Sequence, residues 1–358
     1  MKNIWLFLFL LFSGSCFPQS YSKNYYGYLE ELYIDRQPSP KAQSMGGGLV
    51  AYTENEFGSY YNPALTSLSE GLTVNTSFSN NYKEYSDAKF NYLGASYKIK
   101  NIGSFSVSRY QINYQTYDFK NNYHSIYTLN YSKEVVKNFY AGINVNLLTP
   151  HFAGMYEPIE TNRTIYIIDI GILIKIPVEN SSKNISQLFQ IGSAYTNLNR
   201  AKYDNGLTLG NTQYYPLPAI LRLGGGYKVE YKRDDIIKKL NLIGLLAHVE
   251  FEAVTNSSRY VKIKLGGEVT FFDIFSFRAG YTIGNTFERS TSGKLNGDSY
   301  GTGVKIPVDL IFQLASPLSL SIDYVNLEQP PERDSWNGVE RFGRFNTVSL
   351  KLNWVPTI

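Results

Sequence analysis

From about residue 71 to its end, the chain repeats one pattern, in which apolar and polar residues alternate over segments of about 8 to 14 residues. A period of two is typical of β-strands that have one apolar and one polar face. In the clearest segment, apolar residues at 166, 168, 170, 172 and 174 alternate with Asp169, Gly171 and Lys175. The pattern predicts about fourteen strands, near residues 71–78, 88–99, 102–113, 122–132, 138–148, 164–175, 187–198, 217–229, 241–252, 259–271, 274–283, 301–310, 317–325 and 344–354.

The lengths of these segments favour a membrane barrel over a soluble sandwich. Soluble strands commonly have about five or six residues, whereas about 9 to 11 residues cross a bilayer at a steep tilt. The connections after odd-numbered strands are also longer than those after even-numbered strands, as in outer-membrane barrels. Many of the 31 tyrosines lie near strand ends, which fits interfacial aromatic girdles. Residues 71–358 are therefore predicted to form an all-β, membrane-spanning antiparallel barrel.

The chain has one undiluted apolar run, Ile4 to Phe12, which follows Lys2 and precedes small residues. This arrangement is typical of a secretory signal peptide, so residues 1–19 are predicted to direct export and to be removed. The single cysteine, Cys16, lies in the expected cleavage zone. The alternative is a lipoprotein in which Cys16 is acylated, although Ser13 departs from the usual lipobox. Export and the barrel pattern together predict that the protein lies in the outer membrane of a Gram-negative bacterium. Its outer surface would then contact the lipid of that membrane.

Residues 20–70 lack sustained alternation and are predicted to form a hatch inside the barrel. A fourteen-stranded barrel is wider than its own side chains can fill, so its lumen must hold water, a ligand or a plug. Asn62 before Pro63 also predicts a capped helical turn. The residues expected to contact the lumen wall are Met45, Gly46, Gly47, Gly48, Asn62, Pro63 and Ala64.

The polar faces of the predicted strands carry charges of both signs. This luminal set comprises Asp169, Arg222, His248, Glu250, Glu252, Lys262, Lys264, Glu268, Arg278 and Asp323. Such a set fits a closed lumen with a paired network, or equally a water-filled pore. A tight hairpin over Phe272 to Ile274 would place Glu268 directly opposite Arg278.

The sequence does not favour an enzyme, a cofactor site, a metal site or a nucleic-acid partner. The chain has three histidines, well separated in sequence, and neither a Gly-x-Ser-x-Gly nor a His-Glu-x-x-His motif. The triple glycine is not followed by Gly-Lys-Ser/Thr, so a phosphate-binding loop is not predicted. The 34 basic and 30 acidic residues are spread along the chain and form no basic stripe.

Several motifs together resemble a known family. Ala42 to Gly48, an acidic stretch at Glu54 to Glu56, and Tyr61 to Leu65 resemble the N-terminal hatch of FadL-like fatty-acid channels and of the PorV/PorQ-like outer-membrane proteins of Bacteroidetes. Later segments resemble the second group more closely and follow its order, namely Asp169–Gly171, Thr196–Leu198, Leu223–Tyr227, Leu265–Glu268, Phe277–Tyr281, Ser321–Tyr324 and Val348–Leu350. Asn199, where many relatives have glycine, and the non-aromatic terminus at Ile358 depart from the pattern.

The resemblance implies two functions, neither enzymatic. A PorV-like protein would be a component or scaffold of type IX protein secretion, with secretion proteins or secreted cargo as partners at its outer loops. The alternative is a FadL-like passive channel for hydrophobic or amphipathic small molecules. An apolar pocket in the lumen would favour the channel, whereas a lumen closed by a satisfied polar network would favour the scaffold.

Overall fold

The structure is a computed structural model that describes residues 37–52, 57–82, 88–116, 119–151, 164–178, 184–204, 214–232, 240–255, 261–284, 297–328, 332–334, 338–340 and 344–356. The expected signal peptide, Cys16, the first part of the expected hatch at residues 20–36, and the acidic stretch Glu54 to Glu56 lie outside the described residues.

Fourteen strands of the described chain close into one antiparallel barrel, as the alternation predicted. The barrel strands are β1 Leu72–Tyr82, β2 Ala88–Ile99, β3 Gly103–Thr116, β4 Phe119–Val136, β5 Phe139–His151, β6 Ile165–Val178, β7 Ile185–Tyr195, β10 Ile220–Lys232, β11 Asn241–Val254, β12 Val261–Phe271, β13 Phe275–Gly284, β14 Gly297–Pro307, β15 Leu318–Glu328 and β18 Arg344–Trp354. Two short ribbons extend from it, β8 Lys202–Asp204 with β9 Tyr214–Pro216, and β16 Glu332–Asp334 with β17 Gly338–Glu340. Pairing of β1 with β18, from Leu72 opposite Trp354 to Asn80 opposite Asn346, closes the barrel.

The two mouths of the barrel differ in their connections. One mouth, here called the short-loop mouth, carries residues 100–102, 137–138, 179–184, 233–240, 272–274 and 308–317. The opposite, long-loop mouth carries residues 83–87, 117–118, 152–164, 196–219, 255–260, 285–296 and 329–343. The connection 117–118 is shorter than predicted, because β3 and β4 continue past the apolar belt as a paired extension.

Large apolar side chains form a belt around the outside of the barrel. Val74, Phe78, Leu93, Val107 and Leu129 are exposed, whereas their neighbours in sequence face inward and are mostly polar. A closed barrel satisfies the backbone hydrogen bonds of its strands, and an outward apolar belt matches hydrocarbon. The barrel is therefore of the membrane-spanning type. No described helix is long and apolar enough to cross a membrane.

Short helical turns occur at Pro40–Gln43, Gly58–Tyr61 and Val308–Phe312, and a 3₁₀ helix spans Pro63–Leu68. The predicted cap of the last of these is confirmed, because the Asn62 side chain accepts a hydrogen bond from Ala64 N at 3.0 Å. Ser39 caps the turn at Pro40–Gln43 in the same way. Pro40 and Pro63 each lie in the first turn of their helix, where a backbone N–H would have no partner within the helix in any case.

Predicted strand ends were wrong by a few residues in several places. The prediction of 301–310 for β14 missed that the strand begins at Gly297 and ends at Pro307, where a helical turn starts. Val308 and Leu310 continue the apolar alternation, so the pattern alone does not show the end of the strand. Pro307 lacks the N–H that would extend the ladder, which is the physical reason for the stop.

Candidate functional site: the lumen and its N-terminal segment

The described residues 37–52 and 57–70, here called the N-terminal segment, are mostly buried. Met45, Leu49 and Leu65 belong to one apolar cluster together with inward-facing residues of the barrel. The Tyr61 hydroxyl donates a hydrogen bond to Gln37 Oε1 at 3.1 Å. Burial raises the pKa of the Tyr61 phenol, so this donor stays protonated. The segment thus contributes part of the core that lies within the barrel wall.

Inward-facing glycines of the wall make room for the backbone of this segment. A Cβ atom added at any of seven of them would overlap an atom of the N-terminal segment. The wall glycines and their neighbours are Gly142 with Pro63, Gly171 with Asn62, Gly192 and Gly224 with Val50, Gly266 with Met45, Gly280 with Gly46, and Gly301 with Ser44. Only glycine leaves room for the segment to approach the wall backbone so closely.

Of the consecutive glycines, Gly46 makes the closest approach to the wall. Its φ is +72°, and a Cβ there would lie 2.7 Å from Leu265 O and 2.8 Å from Tyr281 O. Gly47, which we expected at the wall, instead faces the Gln37 side chain of the segment itself. Gly48 faces His248 and Glu250. The difference between Gly46 and Gly47 follows from the turn that they form. Positive φ at both residues reverses the chain there, so that Gly46 faces the strands and Gly47 faces the segment.

On one side of the lumen, charged side chains of β10, β11 and β12 form a chain of ion pairs. Arg222 Nε lies 2.7 Å from Glu252 Oε2, and Lys264 Nζ lies 2.7 Å from the same oxygen and 3.2 Å from Glu250 Oε1. The other oxygen of Glu250 accepts a hydrogen bond from Val50 N at 2.8 Å. A buried carboxylate of the wall therefore holds the backbone of the N-terminal segment.

A second set of ion pairs joins β12, β13 and β15. Glu268 and Arg278 are cross-strand partners and form a charge-assisted hydrogen bond, which confirms the predicted hairpin register. Arg278 Nη1 also lies 2.6 Å from Asp323 Oδ1. Lys41 Nζ of the N-terminal segment lies 3.3 Å from Glu268 Oε2, and the Tyr52 hydroxyl donates to Glu268 Oε1 at 2.9 Å. Glu268 is thus shared between the wall and the segment.

Neutral hydrogen bonds add to these contacts around Met45 and Gly46. The His248 Nε2 atom lies 3.0 Å from Met45 O. Gly46 N donates to Ser299 Oγ at 3.0 Å, and the Thr282 hydroxyl donates to Gly46 O at 2.8 Å. His248 therefore contacts the segment as a hydrogen-bonding group. Lys262, which was also predicted in the charged set, is buried on β12.

Buried charges of the described residues are balanced only when the N-terminal segment is included. The buried acids are Asp169, Glu250, Glu252, Glu268 and Asp323. The buried bases, apart from histidine, are Lys41, Arg222, Lys262, Lys264 and Arg278. Because Lys41 belongs to the segment and all the others to the wall, the segment supplies the cation that neutralises the set.

Asp169, predicted in the charged set, is instead held by amides. Its carboxylate accepts hydrogen bonds from Asn146 Nδ2 at 2.6 Å, Asn197 N at 2.9 Å and Asn144 Nδ2 at 3.1 Å. The Asn144 amide also donates to Ser59 O of the segment at 2.7 Å. Asp169 therefore links the N-terminal segment to Asn197, which lies in the long-loop connection after β7.

Asn62 and Pro63 are anchored by the same kind of contact. The Asn62 amide donates to Val50 O at 2.8 Å and to Ile172 O at 2.9 Å. Asn130 Nδ2 donates to Pro63 O at 3.0 Å. The 3₁₀ helix that follows is thereby fixed against β4, β5 and β6.

Aromatic rings complete this side of the lumen. The rings of Phe57 and Tyr92 lie 4.9 Å apart between centroids, and those of Tyr60 and Tyr110 lie 5.8 Å apart. Phe90 packs edge-on against Tyr110 with centroids 6.2 Å apart. Such edge-to-face pairs add to the burial of the rings themselves.

A small cavity lies where the N-terminal segment meets this aromatic and amide-rich wall. Tyr60, Tyr92 and Tyr110 line it on one part, and Asn144 and Asp169 on another. Its volume is about 30 Å³, which suits water-sized molecules in this closed arrangement. Its position near the first residues of β6 and β10 places it on the long-loop side of the segment.

The sequence did not indicate several of these residues. Lys41, Tyr52 and Asn144 contact the opposite surface, yet nothing in the aperiodic segment or in an Asn-rich chain distinguishes them. The wall glycines could be recognised in the sequence, because each of the seven lies at an inward-facing position of its strand. Among the described residues, no cluster of His, Cys, Asp or Glu is placed to hold a metal ion.

The fold and the lumen define a membrane-spanning β-barrel with its N-terminal segment packed inside. No protein-family model and no curated protein matches the sequence. The solved structures that are similar in fold include the following three. The toluene transporter TodX of Pseudomonas putida has 10% identity and a TM-score of 0.46 over 88% of this chain and 97% of its own. The monoaromatic hydrocarbon channel CymD has 11% identity and a TM-score of 0.43 over 90% of this chain and 97% of its own.

The third is a FadL homologue of Pseudomonas aeruginosa, with 11% identity and a TM-score of 0.43 over 89% of this chain and 98% of its own. Likeness at this level does not carry a ligand or an activity over to this chain. The architecture rests on the strand pairing and on the contacts described above.

Proposed function

We propose that this protein is a passive outer-membrane channel for small amphipathic molecules, in which the N-terminal segment is the gate. The observation that supports this proposal is the cavity between Tyr60 of the segment and the wall residues Tyr110 and Asp169. Aromatic rings there can stack on an apolar group, while carboxylate and amide groups can bind a polar one. A molecule that carries both kinds of group matches the lining better than a pure hydrocarbon does.

The charged side of the lumen supports movement of the segment. Glu250, Glu252 and Glu268 keep Lys264, Arg222 and Arg278 as wall partners if the segment withdraws. The wall then loses hydrogen bonds from Val50 and Tyr52 and the charge of Lys41, but its own ion pairs remain. An opened lumen would therefore be polar and hydrated on one side and aromatic on the other.

A reversible crosslink tests the gate. In a Cys16→Ser background, Lys41→Cys together with Glu268→Cys removes one buried charge of each sign and places one thiol on the N-terminal segment beside one on the barrel wall. A short bis-thiosulfonate would join them, and a reductant would release them. We expect proteoliposomes with the crosslinked variant to exclude a small alkylphenol and to admit it after reduction. Equal uptake in both states would contradict the gate.

The second candidate is the scaffold role in type IX secretion that the sequence resemblance implies. The observation that favours it is the paired polar network of the lumen, because a scaffold needs no open passage. Affinity purification from detergent-solubilised outer membranes tests it. Co-purifying secretion proteins, together with normal secretion by the crosslinked variant, would favour the scaffold over the channel.

A further inference from the structure

The connection between β14 and β15, at the short-loop mouth, carries an uncovered apolar turn. A helical turn at Val308–Phe312 ends where Gln313 adopts a left-handed conformation with φ of 53°. Leu314 N then donates to Asp309 O at 2.9 Å, which closes the turn. Ile311, Phe312 and Leu314 are 60%, 69% and 46% exposed. Three large apolar side chains therefore project from one end of the barrel.

An apolar groove lies at the same end, on the outward face. Leu72, Val74, Leu318, Leu352 and Trp354 line it, and these residues belong to β1, β15 and β18 near the short-loop mouth. The connection leads directly into Leu318, and its last residue, Pro317, accepts a hydrogen bond from Val355 N at 2.9 Å. The uncovered turn therefore continues the lipid-facing belt at its edge.

We infer that residues 308–314 are an interfacial anchor that inserts Ile311, Phe312 and Leu314 into the lipid monolayer at the short-loop mouth. Segments of this kind bury aromatic and aliphatic side chains at the boundary between headgroups and acyl chains. The only charged residue of the turn, Asp309, is less exposed than these three. Continuity with the belt favours lipid over a second copy of the chain or a periplasmic protein. The anchor does not depend on the proposed channel or scaffold role.

Site-directed fluorescence in lipid nanodiscs tests this inference, because both mouths are then open to the solution. The chain with Cys16→Ser would receive a single thiol by Phe312→Cys, and a nitrobenzoxadiazole probe would be attached to it. Lys137→Cys, in an exposed connection at the same mouth, is the matched control. The nanodiscs would contain phosphatidylethanolamine and phosphatidylglycerol, with and without shallow doxyl-labelled phosphatidylcholine. Leu314→Cys provides a second position in the turn.

We expect the probes at 312 and 314 to show several-fold weaker quenching by aqueous iodide than the probe at 137, and strong quenching by the doxyl lipid. Iodide quenching equal to that of the control would overturn the anchor. Shielding from iodide without quenching by the doxyl lipid would also overturn it, because a protein surface would then cover the turn. Heat-modifiable gel mobility of each variant would show that the barrel is folded.

Discussion

The two sides of the lumen hold the same N-terminal segment with different chemistry. On the side formed by β10 to β15, buried ion pairs reach the segment through Glu250 and Glu268. On the side formed by β2 to β6, aromatic rings and amides do so, with Asp169 held by neutral donors. Ion pairs can persist within the wall when the segment leaves, whereas packed rings and amides lose their partners. The comparison suggests that the aromatic and amide-rich side resists withdrawal more than the charged side does.

The largest expected effect on stability comes from placing a side chain at a wall glycine that contacts the N-terminal segment. Such glycines occur on both sides of the lumen. In Gly280→Leu, the new side chain would overlap the backbone of Met45 and Gly46. We expect a loss of about 3 kcal/mol in the free energy of unfolding, or failure to fold, because neither backbone can yield. Denaturant titration of the detergent-folded protein measures it. Gly225→Leu is the control, since a Cβ there lies 3.6 Å from its nearest neighbour; equal effects would show that Gly280 does not face the segment.

The next largest effect tests the charged side. Glu268→Ala and Arg278→Ala should each cost about 3 kcal/mol, because each leaves one unbalanced charge in the buried set, which the double variant restores to balance. The double variant should cost less than the sum, with a coupling energy above about 1 kcal/mol. A double-mutant cycle by denaturant titration gives this value. The partly exposed pair Lys228 and Glu230 is the control, where we expect coupling below about 1 kcal/mol. Coupling near zero for both pairs would show that the lumen is open to solvent.

A smaller effect is expected on the amide-rich side. Asp169→Asn keeps the shape of the side chain but replaces one carboxylate oxygen with an NH₂ group. That group cannot accept the hydrogen bonds that Asn144, Asn146 and Asn197 donate to the carboxylate. We expect a loss of about 1 to 2 kcal/mol at neutral pH, together with faster proteolysis of the N-terminal segment. Asp309→Asn, outside the barrel wall, is the matched change and should be nearly silent. If Asp169→Asn were equally silent, the amides would not hold the segment.

The sequence predicted the barrel well, because alternation, strand length and connection length all point to the same architecture. It also predicted that Glu268 faces Arg278, since a three-residue turn leaves only one register in which both residues face inward. The charged side was readable because acidic and basic residues at inward parity stand out in a strand. The ends of strands were harder to predict where apolar alternation continues past the last hydrogen-bonded pair of the strand, as it does after Pro307.

The contacts of the N-terminal segment could not be predicted in the same way. An aperiodic segment has no register, so nothing in the sequence pairs Lys41 with Glu268 or Tyr52 with the same carboxylate. The amide-rich side was hidden for a second reason, because Asn144 and Asn146 are ordinary strand residues in a chain rich in asparagine. The inward-facing positions of Gly280 and the other wall glycines are the one feature of the sequence that indicates where the segment contacts the wall.

The crosslinking yield of the variant with Lys41→Cys and Glu268→Cys, measured in native outer membranes, tests most directly that the segment lies in the lumen. Mass spectrometry of the digested protein would identify the joined peptides, and Lys41→Cys with Glu134→Cys, at the exposed end of β4, is the control pair. We predict a nearly complete crosslink for the first pair and none for the control. Absence of the crosslink, with both thiols of the first pair labelled by a water-soluble maleimide, would contradict the account.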